Sequence, residues 1–301
     1  MPKRPISRSG FGDRGGAERG RGRQADEEGK DLFDVERIEA ETFVAEVAYR
    51  EALPSTNDWA LELAREAGHR LPLLALAARQ TQGRGRGANR WWSAAGALTF
   101  SLLLDTRQVL PAARMLPPLS LVSGLSVCEA LASMLPGREV RLKWPNDILL
   151  DGGKVCGILV ESPASPPDRC IVGIGINVNN TFCTAPDDVR RRAISLADAT
   201  GASWNLTSVL VAVLRQLELR VADFASDRLR LGTACRPWCA LTGRSVTVAT
   251  GKQRIEGVCR GIDDDGALVV WTPVDERRLV SGVVESFARY GFPNGADGAK
   301  H

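Results

Sequence analysis

Four stretches of this sequence hold residue types suited to chemistry on anionic substrates. The first runs Gln80-Thr81-Gln82-Gly83-Arg84-Gly85-Arg86-Gly87. Its alternate glycines let a backbone bend and approach a ligand closely. The arginines between them offer planar, bidentate donors for phosphate or carboxylate. The order is not that of a P-loop, Ala88 interrupts a GxGxxG pattern, and by itself the run also reads as a mobile surface loop. The second is Leu142-Lys143-Trp144-Pro145-Asn146-Asp147 at a strand end. Its Asn and Asp can bind a ligand or hold a metal, or they form an ordinary turn. The third is Lys154, ahead of Cys156-Gly157-Ile158-Leu159-Val160-Glu161. Facing a cleft, it would be a point charge for an α-phosphate; otherwise it is an exposed lysine beside a turn. The fourth is Gly173-Ile174-Gly175-Ile176-Asn177-Val178-Asn179, where glycines inside a strand signal the close approach of a neighbouring backbone or a ligand.

The elements that must position these residues follow from periodicity and turn chemistry. Residues 43–51 predict a strand, and Ser55-Thr56-Asn57 caps a helix over 58–67, closed by Gly68. A buried strand over 73–79 leads into the glycine–arginine loop, 80–90. Leu98, Phe100, Leu102 and Leu104 alternate with Thr99, Ser101 and Leu103, which is a strand period. A helix is expected over 118–135, stopped by Pro136-Gly137, and a hairpin over 148–150 and 155–161 around Asp151-Gly152-Gly153. Residues 170–178 predict a strand, and 206–224 a helix with the stripe Leu206, Leu210, Val213, Leu217 and Val221. Past Pro237, strands at 245–250, 254–262, 268–272 and 277–284 predict a small SH3-like β-barrel, with Asp263-Asp264-Asp265-Gly266 as a hairpin turn. The fold class is α+β: a mixed β-sheet with flanking helices, then the barrel. The expected boundaries are a tail and lead-in over 1–42, the main domain over 43–236, the barrel over 237–290 and a tail over 291–301.

Bulk properties exclude several classes. The 301 residues suit one large domain and a small one, and an apolar content of 44% supports a sizeable core. Thirty-nine basic residues against 36 acidic ones, a net charge of +3, do not mark a nucleic-acid binder. Residues 1–30, rich in Gly and Arg, bury too little to order and are expected to be disordered. Arg19, Arg21 and Arg23 alternate there with Gly20 and Gly22, but a solvated tail is the preferred reading. No apolar run is long enough to span a bilayer, and none follows the basic N-terminus as a secretory signal would. Seven scattered cysteines without a CxxC pair, and only His69 and His301 as imidazoles, favour reduced thiols in the cytoplasm over zinc. Cys235 and Cys239 are expected to be packed thiols rather than a metal clip.

Taken together in order and spacing, the four stretches resemble the biotin–protein ligases. Ser55-Thr56-Asn57, the Gly83-Arg84-Gly85-Arg86 loop with Trp91 behind it, Lys143-Trp144-Pro145-Asn146-Asp147, Lys154 with Gly157-Ile158-Leu159-Val160-Glu161, and Gly173-Ile174-Gly175-Ile176-Asn177 carry the resemblance, from about Phe43 to Phe287. It implies a catalytic domain related to class II tRNA synthetases, followed by an SH3-like domain. It also implies two steps: biotin and ATP form biotinyl-5′-AMP, and a lysine of a biotin carboxyl carrier protein then takes the biotin. On this match Ser55, Thr56 and Gln80 bind biotin through its ureido ring. Asn57, Gly83, Arg84, Gly85, Arg86, Lys154 and Gly157 share that pocket. Arg86, Trp91, Lys143, Asn146, Lys154 and Asn177 serve ATP and the adenylate. Lys154 contacts both the biotin carboxylate and the α-phosphate, and Arg84 and Arg86 lie in a loop that orders over the ligand. Lys154, Arg86 and Asp147 form the catalytic set, with Asp147 orienting or deprotonating the incoming lysine. Mg²⁺ enters with ATP, faced by Asn146 and Asn177, and no protein ligand set for a metal is read.

Many bacterial relatives also carry an N-terminal DNA-binding domain, for which the roughly 42 residues ahead of the first strand leave no room. A ligase without a repressor role is therefore expected. Gly87-Ala88-Asn89 replaces a more basic stretch in the loop, and Arg79 stands where a less charged residue is usual. The rival readings are a lipoate–protein ligase, a biotin-responsive regulator and a Gly/Arg-tailed RNA-binding protein. The Lys143–Asp147 run and the barrel favour biotin. Carrier docking along a sheet edge is expected, and the same edge could support a homodimer.

Overall fold

The computed structural model describes residues 32–110 and 117–288. The expected tails, 1–30 and 291–301, lie outside the described residues. Secondary structure begins before Phe43, because α1 (Val35–Glu41) is capped by Asp34, which accepts from the Arg37 N–H at 2.9 Å, and buries Ile38. The lead-in thus contributes to the main core.

Strand β1 (Glu46–Leu53), helix α2 (Thr56–Leu63) and strand β2 (Leu73–Gln80) form a crossover unit, so β1 and β2 run parallel. β3 (Leu98–Asp105) pairs antiparallel with β2. α3 (Thr106–Val109) and α4 (Pro117–Met134) follow, then β4 (Val140–Lys143), β5 (Asp147–Leu150), β6 (Gly153–Glu161) and β7 (Arg169–Ile176). The sheet order is β1-β2-β3-β7-β6-β5-β4, with one parallel pair and the rest antiparallel. This is the expected mixed sheet. Short helices α5 (Asp187–Arg190) and α6 (Leu196–Thr200) lead to α7 (Leu206–Ala225) and α8 (Leu231–Cys235).

The sheet divides two apolar layers, and β2 shows how. Its side chains alternate faces. Leu74 and Leu76 join the large core under α4 and α7, while Leu73, Ala75 and Ala77 join a smaller one with Trp59 and Leu63 of α2. All five expected stripe residues of α7 are buried. Arg220 clamps that helix to α4 through two 2.8 Å bonds to Glu129.

The C-terminal sheet runs β11-β10-β9-β8-β12, with β8 (Ser245–Thr250), β9 (Gln253–Ile262), β10 (Leu268–Trp271), β11 (Glu276–Leu279) and β12 (Val283–Phe287). The single strand expected over 277–284 is two strands. The chain leaves β10 at Leu279 and pairs with β8 from Val283. Gly282 makes the crossing, since a Cβ there would lie 2.9 Å from Ala249 O. Several contacts join the C-terminal part of the chain to the main sheet. The backbone of Trp238 and Ala240 brackets Leu142 (2.7 and 2.8 Å), and Trp144 Nε1 donates to Gly266 O at 3.1 Å. The Cys239 thiol is hydrogen-bonded to Cys259 of β9, and none of the seven cysteines is in a disulfide. No described helix is long and apolar enough to cross a membrane.

The start of β1 carries a titratable contact. Glu46 accepts from the Arg70 N–H and the His69 ring, both at 2.8 Å. This bond raises the His69 pKa above its ordinary value, against burial and with help from Glu66. Burial alone would raise Glu46, but Arg70 and His69 outweigh it and hold the carboxyl below its usual range. The His69 contribution to stability is therefore fully present below about pH 6.5 and is lost as pH rises through the raised folded value. The Glu46 contribution is lost as pH falls through its depressed value. An NMR titration is expected to place His69 above its position in Glu46→Gln, and equal midpoints would refute the contact.

Candidate active site

A cleft of about 1130 Å³ opens on the main sheet beside the C-terminal sheet. At one end lies the start of α2. Ser55 stands at the N-cap position without making a side-chain cap bond, which leaves its hydroxyl for other partners. The capping falls instead to Gln80 at the end of β2, whose Oε1 accepts from Thr56 N at 2.6 Å. Ser101 Oγ lies 2.6 Å from Asn57 Oδ1 and 2.8 Å from Thr56 Oγ1. Asn57 Oδ1 only accepts, so Ser101 donates to it and Thr56 donates to Ser101. Ser101 was not singled out from the sequence, although a serine amid the apolar positions of β3 was the available signal.

The glycines of β7 face side chains rather than a backbone. A Cβ on Gly173 would fall onto the Asn57 amide, and one on Gly175 would lie 2.5 Å from the Trp91 ring. Gly157 on β6 continues the same shelf, where a Cβ would lie 3.3 Å from that ring. Trp91 thus lies across the floor, with its indole N–H buried and unpartnered, as is that of Trp92 beside it.

The glycine–arginine run is a tight hairpin. Arg84 bridges to Arg90, Gly85 N donates to Asn89 O at 2.9 Å, and Gly87 turns the tip at φ +63°. The Gly87-Ala88-Asn89 departure is this turn, with Asn89 Nδ2 donating to Arg86 O at 3.0 Å. Arg84 and Arg86 part company. Arg84 places Nη1 on Asp58 and Nη2 on Glu161, both at 2.5 Å, whereas Arg86 Nη1 donates to Gly282 O at 2.8 Å. Gly83 is not among the residues that line the cleft, and a Cβ there would lie 2.6 Å from Trp91 O.

At the other end β5 and β6 place Asp147 beside Lys154, Oδ1 to Nζ 2.6 Å, and Lys154 Nζ stands 6.0 Å from the Trp91 ring centroid. Burial pushes Lys143 below its ordinary lysine value; Asp147 opposes this, while Lys154 and Arg192 add to it. Asn146 Nδ2 donates to Ile158 O at 2.8 Å. Asn177 has both ends of its amide engaged within the protein, with Lys154 O at 3.2 Å and Asn180 Nδ2 at 3.1 Å. The wall also holds cations not anticipated from sequence: Arg141, Arg192 and Arg244. Carboxylates at Glu139, Asp147, Asp151, Asp188 and Glu285 offset part of this charge, but the lining holds more cations than anions, which suits the meeting of two anionic reactants. Ser55, Thr56, Asn57, Gln80, Arg84, Gly85, Arg86, Trp91, Lys143, Asn146, Asp147, Lys154, Gly157 and Asn177 all border this one cleft.

With that geometry in view, known proteins can be compared. The Biotin/lipoate A/B protein ligase family matches residues 49–177, and the Biotin protein ligase C terminal domain matches 242–285. The chain is 33% identical over 239 residues to the biotin--[acetyl-CoA-carboxylase] ligase of Paracoccus denitrificans, covering 76% of this chain and 96% of that protein. It is 31% identical over 253 residues to the bifunctional ligase/repressor BirA of Bacillus subtilis, covering 82% and 76%. Among solved structures, the biotin protein ligase from Aquifex aeolicus in complex with biotin and ATP superposes with a TM-score of 0.69 at 30% identity, over 82% of this chain and 100% of that one.

Proposed function

Because the chain belongs to the biotin protein ligases, we propose that this cleft is where it performs the family's two-step reaction, with the residue roles that follow. The protein is an ATP-dependent biotin ligase: it activates biotin as biotinyl-5′-AMP and transfers the biotin to a carrier-protein lysine. The observation that carries the reading of the site is the Lys154–Asp147 pair, set in one cleft with Arg86 and the hydroxyls of Ser55 and Thr56.

In the first step a biotin carboxylate oxygen attacks the α-phosphorus of ATP, and pyrophosphate leaves. Both reactants are anionic, so the chain must supply positive charge where negative charge builds up. Lys154 leaves Asp147 to bridge the carboxylate and the α-phosphate. Ser55, Thr56 and the Gln80 amide hold the ureido ring at the α2 end. Lys143 and Arg86 face the phosphates, and Trp91 packs near the adenine. The hairpin excludes water from the mixed anhydride. Mg²⁺ comes with ATP. The Asp147 carboxylate and the Asn146 amide oxygen are hard donors near Lys154 that would suit it, whereas Asn177 acts as a brace.

In the second step the carrier lysine amine attacks the acyl carbon and AMP leaves. Asp147, released from Lys154, orients that amine and accepts its proton. Asp147→Asn is expected to slow transfer from preformed biotinyl-AMP by about 10²-fold; transfer at the wild-type rate would remove this role. The acceptor is a biotin carboxyl carrier domain, approaching along the edge of β1, one of the two edge strands of the main sheet, and the enzyme works in the cytoplasm. Mixing the full chain with biotin, MgATP and such a carrier tests the function directly. Covalent biotin on the carrier is expected, and labelling that needs lipoate rather than biotin would overturn the reading.

A further inference from the structure

Glu161, the last residue of β6, holds two parts of the site that are distant in sequence. Its Oε1 accepts from Arg84 Nη2 at 2.5 Å, and its Oε2 accepts from Asn57 Nδ2 at 2.8 Å. Each partner is itself committed. Asn57 Nδ2 also lies 3.3 Å from Leu159 O, and its Oδ1 takes the Ser101 proton at 2.6 Å. Both amide hydrogens therefore go to acceptors, which settles the orientation of the amide and leaves it no hydrogen for a ligand. The second terminal nitrogen of Arg84 goes to Asp58 at 2.5 Å. Burial works to lower the Arg84 pKa, but the two carboxylates outweigh it and hold the guanidinium above its ordinary value. A continuous chain of polar contacts thus runs Gln80–Thr56–Ser101–Asn57–Glu161–Arg84, from the pocket floor to the root of the lid hairpin.

We propose that Glu161 is a positioning residue that locks the biotin floor and the lid root into one unit, so that Arg84 anchors the lid instead of binding phosphate. The proposal rests on the ligase reading. The carboxylate suits this task because it accepts from both partners at once with a full charge, whereas an amide in its place would turn a donor toward one of them. The link sits at the biotin end of the cleft. Its loss should therefore weaken the hold on biotin and spare ATP.

The test is steady-state transfer to a carrier domain by the full chain, with biotin and MgATP varied separately. The variants are Glu161→Gln, Arg84→Met and the double variant. Glu161→Gln is expected to raise KM for biotin about tenfold, the cost of one charge-assisted bond, with kcat and KM for ATP unchanged. Arg84→Met should show the same split, and the double variant should be no worse than the poorer single one, because both break the same link. Thermal unfolding is recorded alongside. An unchanged biotin KM overturns the proposal, as do additive effects, or biotin and ATP parameters that worsen together as the melting temperature falls. If Glu161→Gln does not fold, Arg84→Met carries the decision alone, since its side chain is 36% exposed. A wild-type chain that labels no carrier would overturn the ligase reading and this inference with it. An active wild type with an indifferent Glu161→Gln would overturn this inference alone.

Discussion

Lys154→Ala is expected to lower biotinyl-AMP formation by about 10²- to 10³-fold, the usual effect of removing one preorganised charge from a developing oxyanion, while the fold survives. The ammonium is the cation held nearest the carboxylate of Asp147, and it sits over the Trp91 face of the cleft. It stands where two anionic reactants must come together, so its charge counts more in the transition state than in either reactant alone. The cost to folding is small by comparison. The Lys154 side chain is 37% exposed, and a half-exposed pair of this kind contributes at most about 1 kcal/mol. The measurement is biotin-dependent exchange of pyrophosphate into ATP, with thermal unfolding in parallel. Exchange at the wild-type rate would end the assignment of this lysine. Loss of exchange together with loss of fold would assign it a structural task instead.

Gly173→Ala is expected to damage both stability and the biotin end of the pocket. The added methyl would fall onto the Asn57 amide, a contact that no small rotation relieves because Asn57 is held by Ser101, Leu159 and Glu161. Overpacking of this kind costs about 1–3 kcal/mol. A displaced Asn57 would add unsatisfied buried polar groups, each of about 1–3 kcal/mol. Asn57→Ala in the Gly173→Ala background removes the colliding atoms and is expected to restore part of the lost stability. Urea denaturation of the two variants decides the matter. A Gly173→Ala protein as stable as the wild type would show that β7 does not need a glycine there.

Much of the fold was legible without coordinates, for local reasons. The two-residue alternation of β3, the apolar stripe of α7 and the turn at Asp263–Gly266 are set by neighbours within a few positions. Their elements fall where expected, within the usual fraying of element ends. Helix α1 was not legible, because one buried residue, Ile38, and a capping Asp34 do not make a periodic pattern. The break between β11 and β12 was hidden too, since the strand-like composition continues through Val280 and only the crossing to β8 makes Gly282 necessary.

Reading the chain alone was enough to name most of the residues that meet in the cleft, because chemistry-bearing side chains in a specific order and spacing are a one-dimensional property, but it did not name Ser101, Arg141, Arg192 or Arg244. Tertiary structure alone decided how those residues divide the work. Arg84 and Arg86 are two positions apart in the chain, yet one is held by Glu161, 77 residues away, and the other by Gly282, 196 residues away. The β7 glycines likewise face Asn57 and Trp91 rather than a backbone. Such choices depend on packing between distant segments, where a charge or a missing Cβ finds its partner only after the sheet has brought the two together.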